Sequence, residues 1–304
     1  MYSPLTFKAI KELVAPQTWP ASVLPVLLAG ALSFTTYHIF ALFPFILLLI
    51  LSILLQSAVN TLNDYYDYVK GTDNENNSLD THDASIIYNH INPKSAFRTG
   101  LVLLGLALLG GIYCVWLTGW PLLLIGLLGA AAVFFYSGGP LPISYLPLGE
   151  LVSGLLMGGL IPLAAVYVIS GTLSPIVLYY TFPLIVGIGW ILLTNNTCDI
   201  EKDELANRHT VPILLGRKNA SRLLFWGFVF IAACVAHLGF YSFRPGFWIA
   251  LPMLIHFLFY VKRLWRMEYT AINRRAAMMS TLRLISVLNI YFILIIIGAG
   301  VFSD

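Results

Sequence analysis

Long apolar runs separated by short polar segments dominate this chain. They cover roughly 19–38, 40–60, 97–117, 120–137, 150–170, 175–194, 222–242, 246–263 and 284–302. Each is close to the roughly 20 residues that an α-helix needs to cross a bilayer. The pattern therefore predicts nine transmembrane helices in an all-α, polytopic membrane protein. Pro20, Pro25, Pro44, Pro162 and Pro183 fall inside the runs. Membrane helices carry more proline and glycine than soluble ones, so these residues do not break the pattern. No polar segment is long enough for a second folded unit, which predicts a single transmembrane domain over 1–304. Lys8 and Lys11 precede the first run, but no small-residue cleavage site follows it, so it reads as a span and not as a signal peptide.

Composition agrees. Hydrophobic residues make up 59% of the 304 residues and charged residues 10%, against roughly 25% charged in soluble domains. Mean hydropathy is +0.83. Cys114, Cys198 and Cys234 form neither a disulfide framework nor a Cys-rich metal pattern. The net charge of +3 says less than the placement of the charges. With the N-terminus inside, the inner segments and their span ends hold Lys8, Lys11, Lys70, Lys94, Arg98, Lys202, Arg208, Arg217, Lys218, Arg222, Lys262, Arg263, Arg266, Arg274, Arg275 and Arg283. Of the 17 basic residues, Arg244 alone falls outside. The positive-inside rule then predicts a multi-pass protein of the cell membrane, with a cytoplasmic N-terminus and, after nine spans, an external C-terminus. The partners expected are membrane lipid and small molecules, not nucleic acid.

The acidic residues gather on the same side, although acids contribute little to topology. They concentrate in two motifs. The run Asn60-Thr61-Leu62-Asn63-Asp64-Tyr65-Tyr66-Asp67 ends the second span, and Asn195-Asn196-Thr197-Cys198-Asp199-Ile200-Glu201-Lys202-Asp203 ends the sixth. Lying four spans apart, both leave the membrane on one side. On a helix, Asn60, Asp64 and Asp67 share a face, as do Asn195, Asp199 and Asp203; Asn63 and Asn196 join their respective stripes. Gly71 ends the first helix and Asp73 follows it. One such cluster is adequately explained as a solvated helix end. Two at matching span ends ask for a cation, because clustered carboxylates at a membrane boundary are costly. Magnesium fits: it takes one or two carboxylates together with phosphate oxygens and water. Asp64, Asp67, Asp199 and Asp203 are the predicted ligands and catalytic residues. Lys70, Lys94, Arg98, Lys202 and Arg208 are the candidate diphosphate donors. Tyr65, Tyr66 and Tyr68 interleave with the first motif. They serve packing or, through their ring faces, stabilise a carbocation.

Other polar features read more plainly. His82, His90 and His209 lack paired ligand spacing and read as solvated loop residues. His38, His237 and His256 sit at or within spans. Trp116, Trp120, Trp226 and Trp248 suit interfacial anchors. The basic segment 264–283 reads as a topology determinant in contact with anionic lipid. Gly154, Gly158 and Gly159, with Gly187 and Gly189, permit close helix packing or leave room for a ligand tail.

At these residues the chain resembles the UbiA superfamily of intramembrane aromatic prenyltransferases. It carries an N-D-x-x-D motif as Asn63-Asp64-Tyr65-Tyr66-Asp67 and a D-x-x-x-D motif as Asp199-Ile200-Glu201-Lys202-Asp203. Within that superfamily it is most similar to the dihydroxynaphthoate prenyltransferase branch of menaquinone synthesis. Pro16–Leu27, Asn63–Asp73, Tyr136-Ser137-Gly138-Gly139-Pro140-Leu141-Pro142-Ile143 and Leu148-Gly149-Glu150-Leu151 carry this likeness. The resemblance implies a nine-helix bundle around a central cavity, Mg2+ as cofactor, and a polyprenyl diphosphate and an aromatic acceptor as partners. It also implies substrate contacts at Asn60, Asn63, Tyr65, Tyr68, Asp73, Tyr136, Asn195 and Asn196. Basic residues usual in that branch are replaced here, by Ala15 and Gln17 beside Pro16 and by Cys198 before Asp199. A cation-coupled transporter is the reading from another class. It expects charges near span centres, and this chain has none there. An inactive structural relative would not need both Asp motifs.

Overall fold

A computed structural model of the chain describes residues 5–70, 85–137 and 142–302, and those residues form helices joined by short turns, with no strand among them. The helices are α1 (Phe7–Val14), α2 (Pro20–Thr36), α3 (Leu42–Lys70), α4 (Ser85–Tyr88), α5 (Pro93–Thr118) and α6 (Trp120–Ser137). Then come α7 (Gly149–Ser153), α8 (Ile161–Ser170), α9 (Ile176–Tyr180), α10 (Phe182–Cys198) and α11 (Ile200–Leu205). The last are α12 (Val211–Leu215), α13 (Arg217–Ser242), α14 (Ala250–Trp265) and α15 (Arg274–Phe302). Six helical segments among the described residues are long and apolar enough to cross a membrane. A seventh forms if α1 and α2, bent by 53° at their junction, count as one. Trp120–Tyr136 and Phe182–Cys198 are apolar but shorter. Every predicted apolar run thus appears as helix, while length alone qualifies six or seven of them as spans. The outward faces are greasy, with Leu109, Ile112 and Trp116 at least 65% exposed, as a lipid-facing surface requires.

The chain divides into two compact units. The first comprises 1–23 and 46–117. Its α1 is a short amphipathic helix that the sequence pattern did not single out. Thr6 caps it by accepting the Ala9 N–H at 3.2 Å, and Ala15, in the left-handed region at φ 46°, ends it. Ala9 and Leu13 on its inner face pack with Ile86, Ile91 and Ala96, and Tyr65 and Tyr68 of α3 close over this cluster. Asn89 donates to the Glu12 carboxylate and ties the segment after α4 to α1. Helix α5 runs close to α3, because a Cβ at Gly100 would fall 2.7 Å from Leu62 and one at Gly110 would fall 2.2 Å from Leu51.

The second unit comprises 24–45 and 118–304. Between α7 and α8 the helix widens to a π-helical stretch, Gly154–Leu160. Here the predicted glycine packing is realised backbone to backbone. A Cβ on Gly154 would lie 2.4 Å from the Ile185 carbonyl oxygen, and one on Gly158 2.5 Å from the Ile185 Cα. From the other side, a Cβ on Gly189 would lie 2.8 Å from the Glu150 carbonyl. Small residues let the two backbones touch, which is where packing energy between membrane helices is found. Gly187 turns instead toward Ile285 of α15. Thr194 and Thr281 share a buried hydrogen bond of 3.1 Å between α10 and α15. These contacts fix the end of α10, and the second Asp motif with it.

Candidate active site

In the first unit the motif occupies the last turns of α3, which continues to Lys70. Asn60 is fully engaged by protein. Its amide donates to the Val14 carbonyl at 2.9 Å and to Thr18 Oγ1 at 2.8 Å, and it accepts from Gln56 at 3.2 Å. That makes Asn60 the clasp between α3 and the α1–α2 bend. Asn63 is exposed, and Asp64 and Asp67 are half-buried. Tyr65 packs its ring on Phe97 of α5, with centroids 4.7 Å apart, and edge-on to Tyr66 at 5.3 Å. Tyr65 and Tyr68 are thus both packed against neighbouring elements. Lys94 and Arg98 are exposed, one turn apart at the start of α5. The Tyr65–Phe97 contact sets that part of α5 beside the motif. Asp73 lies outside the described residues, and of Lys70 only the backbone belongs to them.

In the second unit, α10 ends at Cys198 and α11 begins at Ile200, yet the predicted stripe survives the break. The Asp199 N–H donates to the Asn195 carbonyl at 3.1 Å, and the Asp203 N–H to the Asp199 carbonyl at 2.9 Å. Asn195, Asp199 and Asp203 thus keep the i, i+4 spacing that aligns them. Arg208 donates to Asp203 Oδ1 at 3.0 Å and lies over the Tyr145 ring, 5.3 Å from its centroid. Lys202 is exposed on α11. Asn196 is buried and donates to Glu150 at 2.9 Å. Tyr136, at the end of α6, brings its hydroxyl to within 3.4 Å of a Cβ position on Gly149, beside Glu150.

Sequence reasoning missed two members of this cluster. Arg274, assigned above to topology and lipid, reaches the motif from α15. Its Nε and Nη2 donate to Asn195 Oδ1 at 3.1 and 2.8 Å, and Nε lies 3.1 Å from Asp199 Oδ2. A signal was available. Arg274 and Arg275 open a long helix, at the end where the dipole favours anions. Cations there are misplaced unless they face carboxylates. Arg274 also supplies a guanidinium beside Asp199 although the preceding residue is Cys198. The other member is Glu150, a lone acid at the head of an apolar run, buried and bonded to Asn196. Glu201 points elsewhere, held by Arg217 through two bonds of 2.7 Å.

Burial dominates the electrostatics of this motif. Burial pushes the Asp199 carboxyl up to about 6; Asp203 and Glu201 push the same way, and Lys202 and Arg208 pull against them. Burial also raises Asp203 against the pull of Arg208. Glu201, by contrast, is held down at about 2 by its hydrogen bonds from Arg217. Asp203 is 3% exposed, and its Oδ2 is buried without a hydrogen-bond partner among the described residues. An orphaned carboxylate oxygen, in a pair of acids raised toward neutrality, suits a hard divalent cation. No group of three His, Cys, Asp or Glu among the described residues converges on one point. A metal here would complete its shell with phosphate and water, as magnesium does.

Known proteins bear on this arrangement. Residues 22–287 match the UbiA prenyltransferase family. The chain is 35% identical over 218 residues to 1,4-dihydroxy-2-naphthoate octaprenyltransferase of Bacillus subtilis (strain 168), covering 70% of this chain and 68% of that protein. It is 29% identical over 206 residues to UbiA prenyltransferase domain-containing protein 1 of Homo sapiens, covering 66% of this chain and 59% of the relative's length. Among solved structures, a UbiA homolog from Archaeoglobus fulgidus bound to GPP and Mg2+ superposes with a TM-score of 0.62 at 17% identity, over 95% of this chain and 99% of that one. An apo UbiA homolog from Aeropyrum pernix K1 gives 0.63 at 18%, over 94% and 97%. These two likenesses speak for the fold. The all-helical architecture, the paired Asp motifs and a match that spans most of the sequence agree, and the chain belongs to the UbiA prenyltransferase family.

Proposed function

We propose that this protein transfers a polyprenyl group from an allylic diphosphate to an aromatic acceptor, and that the acceptor is 1,4-dihydroxy-2-naphthoate. The observation that carries the reading is the aligned Asn195–Asp199–Asp203 stripe with Arg274 and Arg208 in contact with it. The likeness to the Bacillus subtilis enzyme supports the choice of acceptor. The likeness to a homolog bound to GPP and Mg2+ supports the donor and the metal. In the same reading nine helices cross the membrane around a cavity, and the N-terminus and both Asp motifs face the cytoplasm.

Magnesium, when bound at Asp199 and Asp203 and at Asp64 and Asp67, would neutralise charge on the diphosphate and ease its departure. The chain's own residues do the rest. Arg274 and Arg208 add fixed positive charge beside the carboxylates, with Lys94, Arg98 and Lys202 in reach of solvent. Charge placed in advance where the leaving group develops it is the main protein contribution to such an ionisation. The allylic C–O bond breaks and its electron pair leaves with the diphosphate. The allylic cation is attacked by the acceptor ring, a C–C bond forms, and the ring carboxylate leaves as carbon dioxide. In this reading Glu150, Asn196 and Tyr136, which gather around Gly149, orient the acceptor hydroxyls.

Membranes containing the protein, incubated with magnesium, labelled prenyl diphosphate and a panel of aromatic acceptors, test this. Product with dihydroxynaphthoate and release of carbon dioxide are expected. Product with 4-hydroxybenzoate alone would replace the acceptor, and no product with any acceptor, beside an active relative, would overturn the enzyme reading.

A further inference from the structure

A recess of about 470 Å³ lies where α13 begins and α14 ends, lined by Arg217, Lys218, Arg222, Phe225, Trp265 and Glu268 among others. That volume is within the roughly 300–1,000 Å³ of small-molecule sites. Its three cations face one carboxylate. Arg217 is committed to Glu201 and to the Thr197 carbonyl. Lys218 and Arg222, four residues apart on one face of α13, have no ion pair among the described residues. Aromatic rings line it as well: Phe225 of α13 and Trp265 at the end of α14 meet edge to face with centroids 4.5 Å apart, and Trp265 is 60% exposed.

We infer that this recess binds the phosphate of an anionic phospholipid, with Lys218 and Arg222 on the phosphate and Trp265 against the glycerol and the upper acyl chain. Three features select a lipid over a soluble anion. The recess sits at the ends of two candidate spans, Arg217–Ser242 and Arg244–Trp265. The same helices carry outward apolar side chains, among them Trp226, Leu258 and Phe259, each at least 64% exposed. Lys262 and Arg263 occupy the last turn of α14, adding positive charge at the same end. Basic pockets between membrane helices bind anionic head groups, and aromatic rings suit the head-group level.

The test places the full-length protein in vesicles that contain brominated phosphatidylglycerol or brominated phosphatidylcholine and reads the part of tryptophan quenching that disappears in Trp265→Phe. Each cation at a membrane surface strengthens binding about fivefold. The wild type should therefore prefer the anionic lipid by about 25-fold, and the preference should fall with salt. The Lys218→Gln/Arg222→Gln pair should lose it, and the Lys218→Arg/Arg222→Lys pair should keep it. Equal quenching by the two lipids in the wild type would overturn the proposal, as would a preference that survives in the Gln pair. Inorganic phosphate, compared with chloride at equal ionic strength, should leave the preference unchanged; loss specific to phosphate would assign the recess to a soluble anion. If the Gln pair does not fold, the wild-type salt titration and the charge-conserving pair still decide the matter.

Discussion

Arg274→Gln is the most informative single change. The side chain makes two hydrogen bonds to Asn195 and an ion pair with Asp199, at 2.8–3.1 Å. A hydrogen bond to a charged group contributes about 1.5–3 kcal/mol. The partners are 31% and 15% exposed, so solvent screening moves the loss to the lower part of that range, roughly 1.5–2 kcal/mol. If that geometry is needed when the donor ionises, kcat/KM for prenyl diphosphate falls by about 10- to 30-fold. A second consequence is independent of the first. Asp199 sits at about 6, and removing the guanidinium 3.1 Å from it raises it further. At subsaturating magnesium the acid limb of the pH–rate profile should shift upward with it. Initial rates with labelled donor in membranes, from about pH 5 to pH 9, measure both. Arg274→Lys should restore the limb but not the full rate, because an ammonium cannot bridge both oxygens as the guanidinium does. Activity within twofold of wild type and an unmoved limb would refute the role given to Arg274.

Gly158→Leu sets a side chain against the Ile185 backbone, where even a Cβ would lie at 2.5 Å. It should cost at least about 1–3 kcal/mol and lower the melting temperature in detergent. Asn60→Ala removes the donor to the Val14 carbonyl and the shorter of two donors to Thr18, which keeps Gln56 at 3.4 Å. A loss of about 1–3 kcal/mol should appear as faster amide exchange in 7–14, with little change in the second unit. The wild type should lose magnesium affinity as pH falls through about 6, where Asp199 takes up a proton. The sign for the metal-free fold is the reverse. A carboxyl raised above its ordinary value of 3.8 disfavours the fold above pH 6, and that cost is relieved as pH falls, so chemical-denaturation midpoints at acid pH should not drop on account of Asp199.

The apolar runs made the helices legible, because membrane spans depend on length and composition. The i, i+4 spacing made both stripes legible, and in the second motif it survives a helix break at Asp199. Residues brought in from distant segments were not legible. Arg274 lies 75 positions after Asp199, and Glu150 lies 46 before Asn196. Only the packing of α10 against the Gly154–Leu160 stretch and against α15 sets them together. Charge in the segment 264–283 was read as topology because counting charges ignores where each side chain reaches. The structural part of Asn60 was not legible either: its amide bonds to Val14, Thr18 and Gln56, the first two of them in a segment more than 40 residues away. Amphipathic α1 was missed because it is shorter than a span and lies outside every apolar run.

The central proposal is that prenyl transfer by this protein needs magnesium and each of its Asp motifs. The most direct measurement is prenyl transfer from labelled donor in membranes, with and without magnesium, for the wild type, Asp64→Asn and Asp199→Asn at equal protein level. The account predicts transfer by the wild type only when magnesium is present, and none by either variant. Normal turnover by both variants, or full activity of the wild type without divalent metal, would contradict it.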